Sequence, residues 1–245
     1  MKIDDLKFKP QIKAKRWKCD KSKLKIFPTK KANAVFTGFS VEVYNKDSII
    51  HLYENGFYGK GSHSRSTPQI VKGAPTKPTH VTESLVLDLE EAFFLSYTLG
   101  ILNIFTIQRK GWPMSPAVLL EKFCAVKENF PQTFVAYLYL KSKNWVVKSG
   151  CKFGGDFLLY KSGPPFHHAS FVVHVTSGKK SPKDFQGIHR VAENSDKDVL
   201  ILEVSPPSGT QSSGVSDFLN QLSKYTVSEC IPRRLNFKEF VQVKC

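Results

Sequence analysis

The stretch CKFGGDFLLYKSGPPFHHASFVVHV, residues Cys151–Val175, decides the fold of this chain. Apolar and polar residues alternate in its first and last thirds, which is the pattern of a half-buried β-strand. A Gly-Pro-Pro sequence separates the two alternating segments, and glycine and proline favour turns. The stretch therefore predicts two strands joined by a loop.

Strand parity indicates which polar groups of this pair share a face. Tyr160 ends the first strand on its polar face, because side chains alternate along a strand. In the second strand His168 is predicted to lie opposite the apolar face of Ala169 and Phe171. His167 has the parity of the apolar face and is the poorer candidate. Tyr160 and His168 are therefore predicted to stand together on the polar side of the pair.

The remaining sequence indicates further secondary structure. Apolar residues at helical spacing predict a long helix over Thr82–Gln108, and a second helical region over Pro116–Lys143 is interrupted at Pro131. HLYENGFYGKG, within residues 51–61, predicts a tight hairpin in preference to a phosphate-binding loop. The sequence also predicts the strands NWVVKSG, DVLILEV and LNFKEFVQV, the last at a sheet edge, and a helix over Ser181–Ser195.

These elements predict an α+β protein with three parts. Residues 1–33 form a basic amino-terminal arm, and residues 34–130 form a mixed α+β domain. Residues 131–245 form a carboxy-terminal domain with a mixed β-sheet flanked by helices. A proline-containing linker is predicted over residues 72–80, inside the first domain.

Composition favours a nucleic-acid partner. The formal net charge is +15 over 245 residues, and such an excess favours a polyanion. No apolar segment approaches the length of a membrane span, and MKIDDLKFKP has no signal-peptide core, so a soluble intracellular protein is expected. The cysteines form no CxxC pair, and reduced thiols are expected at all five: Cys19, Cys124, Cys151, Cys230 and Cys245.

Three side chains suit the cleavage of RNA by its own ribose 2′-hydroxyl. That reaction needs a base for the 2′ proton, an acid for the departing 5′-oxygen and a cation for the phosphorane. Tyr160, His168 and Lys197, which precedes the strand DVLILEV, offer these groups, and no metal or cofactor is expected. Each residue alone is common as packing or as solvated surface, so the hypothesis depends on their convergence. A cation such as Lys197 is needed to lower the pKa of the tyrosine.

The residues KFGGDFLLYKSGPPFHHASFVVHV, followed by HRVAENSDKDVLILEV, closely resemble the catalytic domain of the tRNA-splicing endonuclease family. The similarity extends upstream through FVAYLYLKSKNWVVKSG, and LYENGFYGKG resembles the family's amino-terminal domain. About two thirds of the chain is covered. The segments GPPFHHAS and LYENGFYGKG are most similar to the eukaryotic catalytic subunit assigned to the 5′ splice site.

The resemblance implies a role for each site residue. Tyr160 would be the general base, His168 the general acid and Lys197 the stabiliser of the transition state. The products would carry a 2′,3′-cyclic phosphate and a 5′-hydroxyl. Arg190 stands where the family has an arginine that clamps a bulged intron base by a cation–π contact. The family's clamp also uses a late tryptophan, and this chain has none after Trp145, so Phe237 or Phe240 is the expected substitute.

The resemblance further implies a nuclear heterotetramer with one more catalytic subunit and two structural subunits, acting on precursor tRNA. Three alternatives stay open. One is the sister catalytic subunit that cuts the 3′ splice site, and another is a non-catalytic RNA-binding scaffold subunit. The third is a metal-dependent DNA nuclease that uses Asp156 and Glu203.

Overall fold

The computed structural model describes residues 27–72, 83–108, 111–178, 187, 188, 190, 195–207 and 215–232 of the chain. These residues form two five-stranded sheets, one in each half of the chain, with helices packed against them. The protein has an α+β fold, as predicted. The basic arm up to residue 26, the edge strand LNFKEFVQV, Phe237 and Phe240 lie outside the described residues.

The amino-terminal sheet has the strand order β3-β4-β2-β1-β5. β1 and β5 run parallel and the other neighbours run antiparallel. The strands are β1 (Ala32–Phe36), β2 (Val41–Val43), β3 (Lys60–Gly61), β4 (Leu85–Leu87) and β5 (Leu102–Thr106). The helices of this half are α1 (Lys46–Glu54), α2 (Gln69–Lys72), α3 (Leu89–Phe93), which continues as a π-helical turn (Phe94–Thr98), and α4 (Pro116–Val126).

The helix predicted over Thr82–Gln108 is wrong except over residues 89–98, which are helical. Its described part contains two strands, β4 and β5, with the short α3 and its π-helical turn between them. Asp88 has an extended backbone that separates β4 from α3, and Gly100 adopts a φ of 64° before β5. The segment is buried on more than one side, so apolar residues occur on all of its faces. Their spacing therefore fits a helix and a strand equally well.

The hairpin predicted at residues 51–61 is also wrong. Its first residues belong to α1, which begins after Asn45, whose side chain accepts a hydrogen bond from Ser48 N at 2.9 Å. Asparagine at this position caps the exposed N–H groups of a helix start, so the polar residues from Asn45 onward begin a helix. A turn over residues 55–59 then leads into β3, and we call it the Phe57 turn.

The helical region after Pro116 is confirmed as two helices. α4 opens with a proline in its first turn, and Ser115 accepts a hydrogen bond from Val118 N. α5 (Phe130–Ser142) has Pro131 in its first turn, so this proline opens the second helix. Phe93 is fully buried between the two helices, where its ring meets edge-on the rings of Phe123, Phe130 and Phe134.

The carboxy-terminal sheet has the strand order β10-β9-β8-β7-β6 and contains the predicted strand pair. β8 and β9 run parallel and the other neighbours run antiparallel. The strands are β6 (Val146–Ser149), β7 (Phe157–Tyr160), β8 (Phe171–Thr176), β9 (Asp198–Ser205) and β10 (Thr226–Cys230), and α6 (Val215–Gln221) precedes β10. The predicted strands NWVVKSG and DVLILEV are confirmed as β6 and β9. Of the helix predicted over Ser181–Ser195, only a few residues are described, and Ile188 and Arg190 among them are helical.

One hydrophobic core joins the two halves of the protein, since residues of both sheets pack into the same buried cluster. A charged contact also crosses between them. Lys148 of β6 donates hydrogen bonds to the carbonyl oxygens of Phe57 and Gly59, at 2.9 and 2.8 Å, and to Glu91 Oε1 at 2.6 Å. Within the described parts of the chain, every helix is too short or too polar to span a bilayer.

Candidate active site

The antiparallel register of β7 and β8 brings Tyr160 to the end of the carboxy-terminal sheet. Leu159 pairs with Phe171, and Ser170 N donates to Leu159 O at 2.8 Å, so the ladder continues one step beyond the paired strand residues. Tyr160 therefore stands beside Ser170. Because Leu158 and Val172 are paired and side chains alternate, Tyr160 and Ser170 project from the same face of the sheet as these two residues.

The parallel register of β8 and β9 brings Lys197 to the same place. Phe171 pairs with Asp198, and Asp198 N donates to Ser170 O at 3.1 Å, so Lys197 stands on the other side of Ser170 from Tyr160. Val172 pairs with Val199, and alternation then places Lys197 on the face of Tyr160. We call this place, where β7 ends and β8 and β9 begin, the β7–β9 corner.

The segment that joins β7 to β8 carries the two histidines to this corner. His168 is exposed and lies two residues before Ser170, whereas His167 is buried, with 6% of its surface accessible. The choice of His168 as the accessible histidine therefore agrees with the burial of the pair. The alternation on which that prediction rested does not hold at His168, because β8 begins only at Phe171. Ala169 packs with Leu158 and Val172 on the face of Tyr160, and not on the opposite face as predicted.

Tyr160 is half-buried and packs against the cluster of Leu158, Ala169 and Val172. Burial raises the pKa of its phenol above the ordinary value, because a low-polarity environment disfavours the phenolate. The expected lowering of this pKa by Lys197 is therefore not found in the chain by itself. The phenol is protonated at neutral pH.

Lys197 is held by two contacts within the corner. Its Nζ donates a hydrogen bond to Ser195 O at 2.6 Å and lies 4.3 Å from the centre of the Phe153 ring. Partial burial lowers the pKa of Lys197, and the neighbouring Asp196 carboxylate opposes this shift. Phe153 packs on the same cluster as Tyr160. It lies in a 3₁₀ turn over Cys151–Phe153 and not in the strand predicted there.

Ser170 also lies at the β7–β9 corner, although its sequence context does not single it out. Its residue is 4% exposed, and its hydroxyl has no hydrogen-bond partner among the described residues. It stands between Tyr160 and Lys197 in the ladder. The only signal in the sequence was its parity with His168, and a serine in a strand carries no distinct pattern.

The other predicted site residues that the structure describes are Arg190, Asp156 and Glu203. Arg190 is exposed and helical. Asp156 lies at the opposite end of β7 from Tyr160, where its Oδ2 accepts a hydrogen bond from Val175 N at 2.8 Å. Glu203 pairs with Thr176 near the far end of β8. Among the described residues, no group of three or more His, Cys, Asp or Glu side chains could hold a metal ion, and Cys124, Cys151 and Cys230 are free thiols.

The two halves of the chain match two models from one protein family. Residues 130–210 match the catalytic C-terminal domain of tRNA intron endonuclease, and residues 32–119 match the N-terminal domain of tRNA intron endonuclease. The β7–β9 corner lies within the first of these two regions.

Individual relatives agree with these domain matches. The mouse tRNA-splicing endonuclease subunit Sen2 is 38% identical over 141 residues, which cover 54% of this chain and 30% of that protein. A probable tRNA-splicing endonuclease subunit Sen2 of Oryza sativa is 37% identical over 89 residues, which cover 36% of this chain and 30% of the rice protein. A tRNA-splicing endonuclease of Saccharolobus islandicus is 28% identical over 170 residues, which cover 69% of this chain and 87% of that protein. The similarity to the mouse and rice proteins thus spans less than a third of their length.

Proposed function

Because the chain belongs to the tRNA intron endonuclease family, we propose that it is a catalytic subunit that cleaves precursor tRNA at an intron boundary, the 5′ splice site. The observation that carries this proposal is the β7–β9 corner. Two strand registers bring Tyr160 and Lys197 to one end and one face of the sheet, and the segment bearing His168 leads into the same end. The similarity to Sen2 subunits supports a place in a tRNA-splicing endonuclease. The choice of the 5′ splice site rests on the resemblance carried by GPPFHHAS and LYENGFYGKG.

The proposed reaction is attack of the ribose 2′-hydroxyl on the adjacent phosphate. Tyr160 removes the 2′ proton, the new P–O bond forms, and the bond to the 5′-oxygen breaks as His168 donates a proton to it. One RNA end then carries a 2′,3′-cyclic phosphate and the other a 5′-hydroxyl. Lys197 stabilises the charge that builds on the phosphorane oxygens, and the Ser195 carbonyl and Phe153 ring hold its ammonium in place.

The raised pKa of Tyr160 sets a condition on this reaction. A protonated phenol is a weak base, so only the fraction of the protein with an ionised Tyr160 and a protonated His168 reacts. We expect Lys197 to increase that fraction once RNA excludes water from the corner, because desolvation strengthens the attraction between an ammonium and a phenolate.

The proposal includes an assembly and an RNA contact. The chain acts in a nuclear heterotetramer with a second catalytic subunit and two structural subunits. Arg190 contacts the bulged intron base, and its exposure leaves it accessible to RNA. Phe237 or Phe240 supplies the aromatic partner. The net charge of +15 supports binding to precursor tRNA.

The test is reconstitution of this chain with its partner subunits and cleavage of an intron-containing precursor tRNA. Tyr160→Phe and His168→Ala are each expected to slow cleavage at the 5′ splice site by about 10²-fold to 10⁴-fold, the usual effect of losing a general base or acid. His63→Ala is the matched control, since His63 is an exposed histidine in the amino-terminal half and should have no effect.

The outcome at each splice site separates the alternatives. Loss of cleavage at the 3′ site alone assigns the chain to the sister role and contradicts the 5′ proposal. Full activity of His168→Ala at both sites contradicts the catalytic role and favours a scaffold subunit. The product ends are checked by their resistance to phosphatase, since a cyclic phosphate resists the enzyme until acid opens it. Linear 3′-phosphate ends at the earliest time points contradict the proposed chemistry.

A further inference from the structure

Phe57 adopts a backbone conformation that is unusual for a bulky residue. Its φ is 60°, in the left-handed region, and it follows Gly56 at a φ of 121°. A side chain on a backbone of this hand meets its own carbonyl group, so a phenylalanine is uncommon there. Strained conformations of this kind persist where the surroundings fix them, and they are frequent near functional sites.

Hydrogen bonds on both sides fix the Phe57 turn. Phe57 N donates to Tyr53 O at 3.0 Å, which ties the turn to the end of α1. Lys148 Nζ donates to the carbonyl oxygens of Phe57 and Gly59, and Gly59 N donates to Glu91 Oε2 at 3.0 Å. The turn is therefore attached to the amino-terminal half and also to β6 of the carboxy-terminal sheet.

The ring of Phe57 packs against the loop that joins Tyr160 to His168. A methyl group added to Gly163 would overlap this ring, with Cζ of Phe57 only 2.8 Å from the added carbon. The Phe166 ring meets the Phe57 ring edge-on, with ring centres 6.1 Å apart. Glycine at position 163 thus allows a close approach that no other residue permits. Its φ of 107° also favours glycine, because side chains are strained in that conformation.

Gly163 begins the turn that leads to His168. Its carbonyl oxygen accepts hydrogen bonds from Phe166 N at 3.1 Å and from His167 N at 3.2 Å. The bond from Ser170 N to Leu159 O then closes the loop on the far side of His168. The path of the backbone through His168 is therefore set by this closing bond and by the place where Gly163 rests.

We propose, resting on the proposed function, that Phe57 is a positioning residue of the active site, whose ring fixes the Gly163 turn and through it the place of His168 relative to Tyr160. General acid catalysis needs the donor within hydrogen-bond distance of the leaving oxygen, so a shift of this loop slows the chemical step. Tyr53 of α1, the helix that precedes the Phe57 turn, supports the arrangement. Its ring meets that of Phe57 edge-on at 5.6 Å, and burial raises its pKa to about 12, with a smaller contribution from the nearby Tyr160.

The first test compares Phe57→Leu with wild type in the reconstituted complex under single-turnover conditions. The rate at the splice site that this chain cuts should fall by about 10-fold to 100-fold, as expected for a misplaced catalytic group. The affinity for precursor tRNA and the rate at the other splice site should stay unchanged, because Phe57 is buried and acts on the RNA only through the place of His168. Phe123→Leu is the control, as Phe123 is an equally buried aromatic residue without contact to the loop.

The second test measures coupling between the two residues. Gly163→Ala should slow cleavage at this chain's site in the wild-type background. The same change should be at least several-fold less harmful in the Phe57→Leu background, because leucine has no ring edge to overlap the new methyl group. If Phe57→Leu fails to assemble, Phe57→Met replaces it in both tests with the same expected results, since Gly163→Ala alone also strains a backbone whose φ is 107°.

Three results overturn the inference. They are a wild-type rate for Phe57→Leu, an equal loss at both splice sites, and an equal effect of Gly163→Ala in both backgrounds. The His168→Ala variant separates this inference from the proposed function. If His168→Ala abolishes cleavage and Phe57→Leu does not slow it, only the positioning role is wrong. If His168→Ala leaves cleavage intact, the catalytic proposal itself fails.

Discussion

The ammonium group of Lys148 connects the two halves of the protein, and its removal is the sharpest test of how they are joined. Its three acceptors are Glu91 Oε1 at 2.6 Å and the carbonyl oxygens of Phe57 and Gly59. The side chains of Lys148 and Glu91 are only 14% and 2% exposed. Lys148→Met therefore leaves a buried carboxylate without its cation, although the methionine fills a similar volume.

The expected cost follows from this burial. Breaking a buried ion pair by removing one partner typically costs about 3–5 kcal/mol, because the remaining charge stays out of water. Lys60→Met is the matched control. Lys60 is 3.9 Å from Asp88, and their side chains are 44% and 31% exposed, so the loss should be below about 1 kcal/mol.

Urea denaturation followed by circular dichroism measures both variants, with free energies of unfolding obtained by linear extrapolation. Removing both charges, in Lys148→Met with Glu91→Gln, should cost less than the sum of the two single changes, since neither charge is then left alone. Equal stabilities of Lys148→Met and Lys60→Met would refute the reasoning, and so would strict additivity in the double variant.

Three further predictions concern other buried groups. Burial lowers the pKa of Lys141 to about 8, so above pH 8 the unfolded chain binds more protons than the folded one. The free energy of unfolding should therefore rise by about 2 kcal/mol from pH 8 to pH 10. Thermal denaturation at each pH measures this rise, which should be absent in Lys141→Met. Phe93→Ala should cost about 3–5 kcal/mol, measured by urea denaturation, whereas Phe39→Ala, at an 83% exposed position, should stay within about 0.5 kcal/mol of wild type. RNA cleavage should persist in EDTA and in Asp156→Asn, where only the hydrogen bond from Val175 N is weakened; a loss in EDTA that added Mg²⁺ restores favours a metal-dependent mechanism.

Much of the carboxy-terminal half was predictable because its signals are local. The alternation of β7 and β8 and the buried run of β9 each indicate one structure within a few residues. The segment after Thr82 was not predictable in this way. Its apolar residues stand in runs, such as Phe93–Leu95, as well as at alternating positions, so periodicity does not separate strand from helix. These parts of the segment are strands because β4 pairs with β2 and β5 pairs with β1.

The sequence by itself determined which chemical groups are present in Cys151–Val175 and that a turn separates Tyr160 from His168, since both follow from residue type and order. Only the tertiary structure decided where these groups meet. The parallel pairing of β8 with β9 places Lys197 beside Ser170, and the Phe57 ring limits where Gly163 can lie. Both contacts join residues far apart in the chain, and no local pattern records such contacts, because they depend on how separate elements pack.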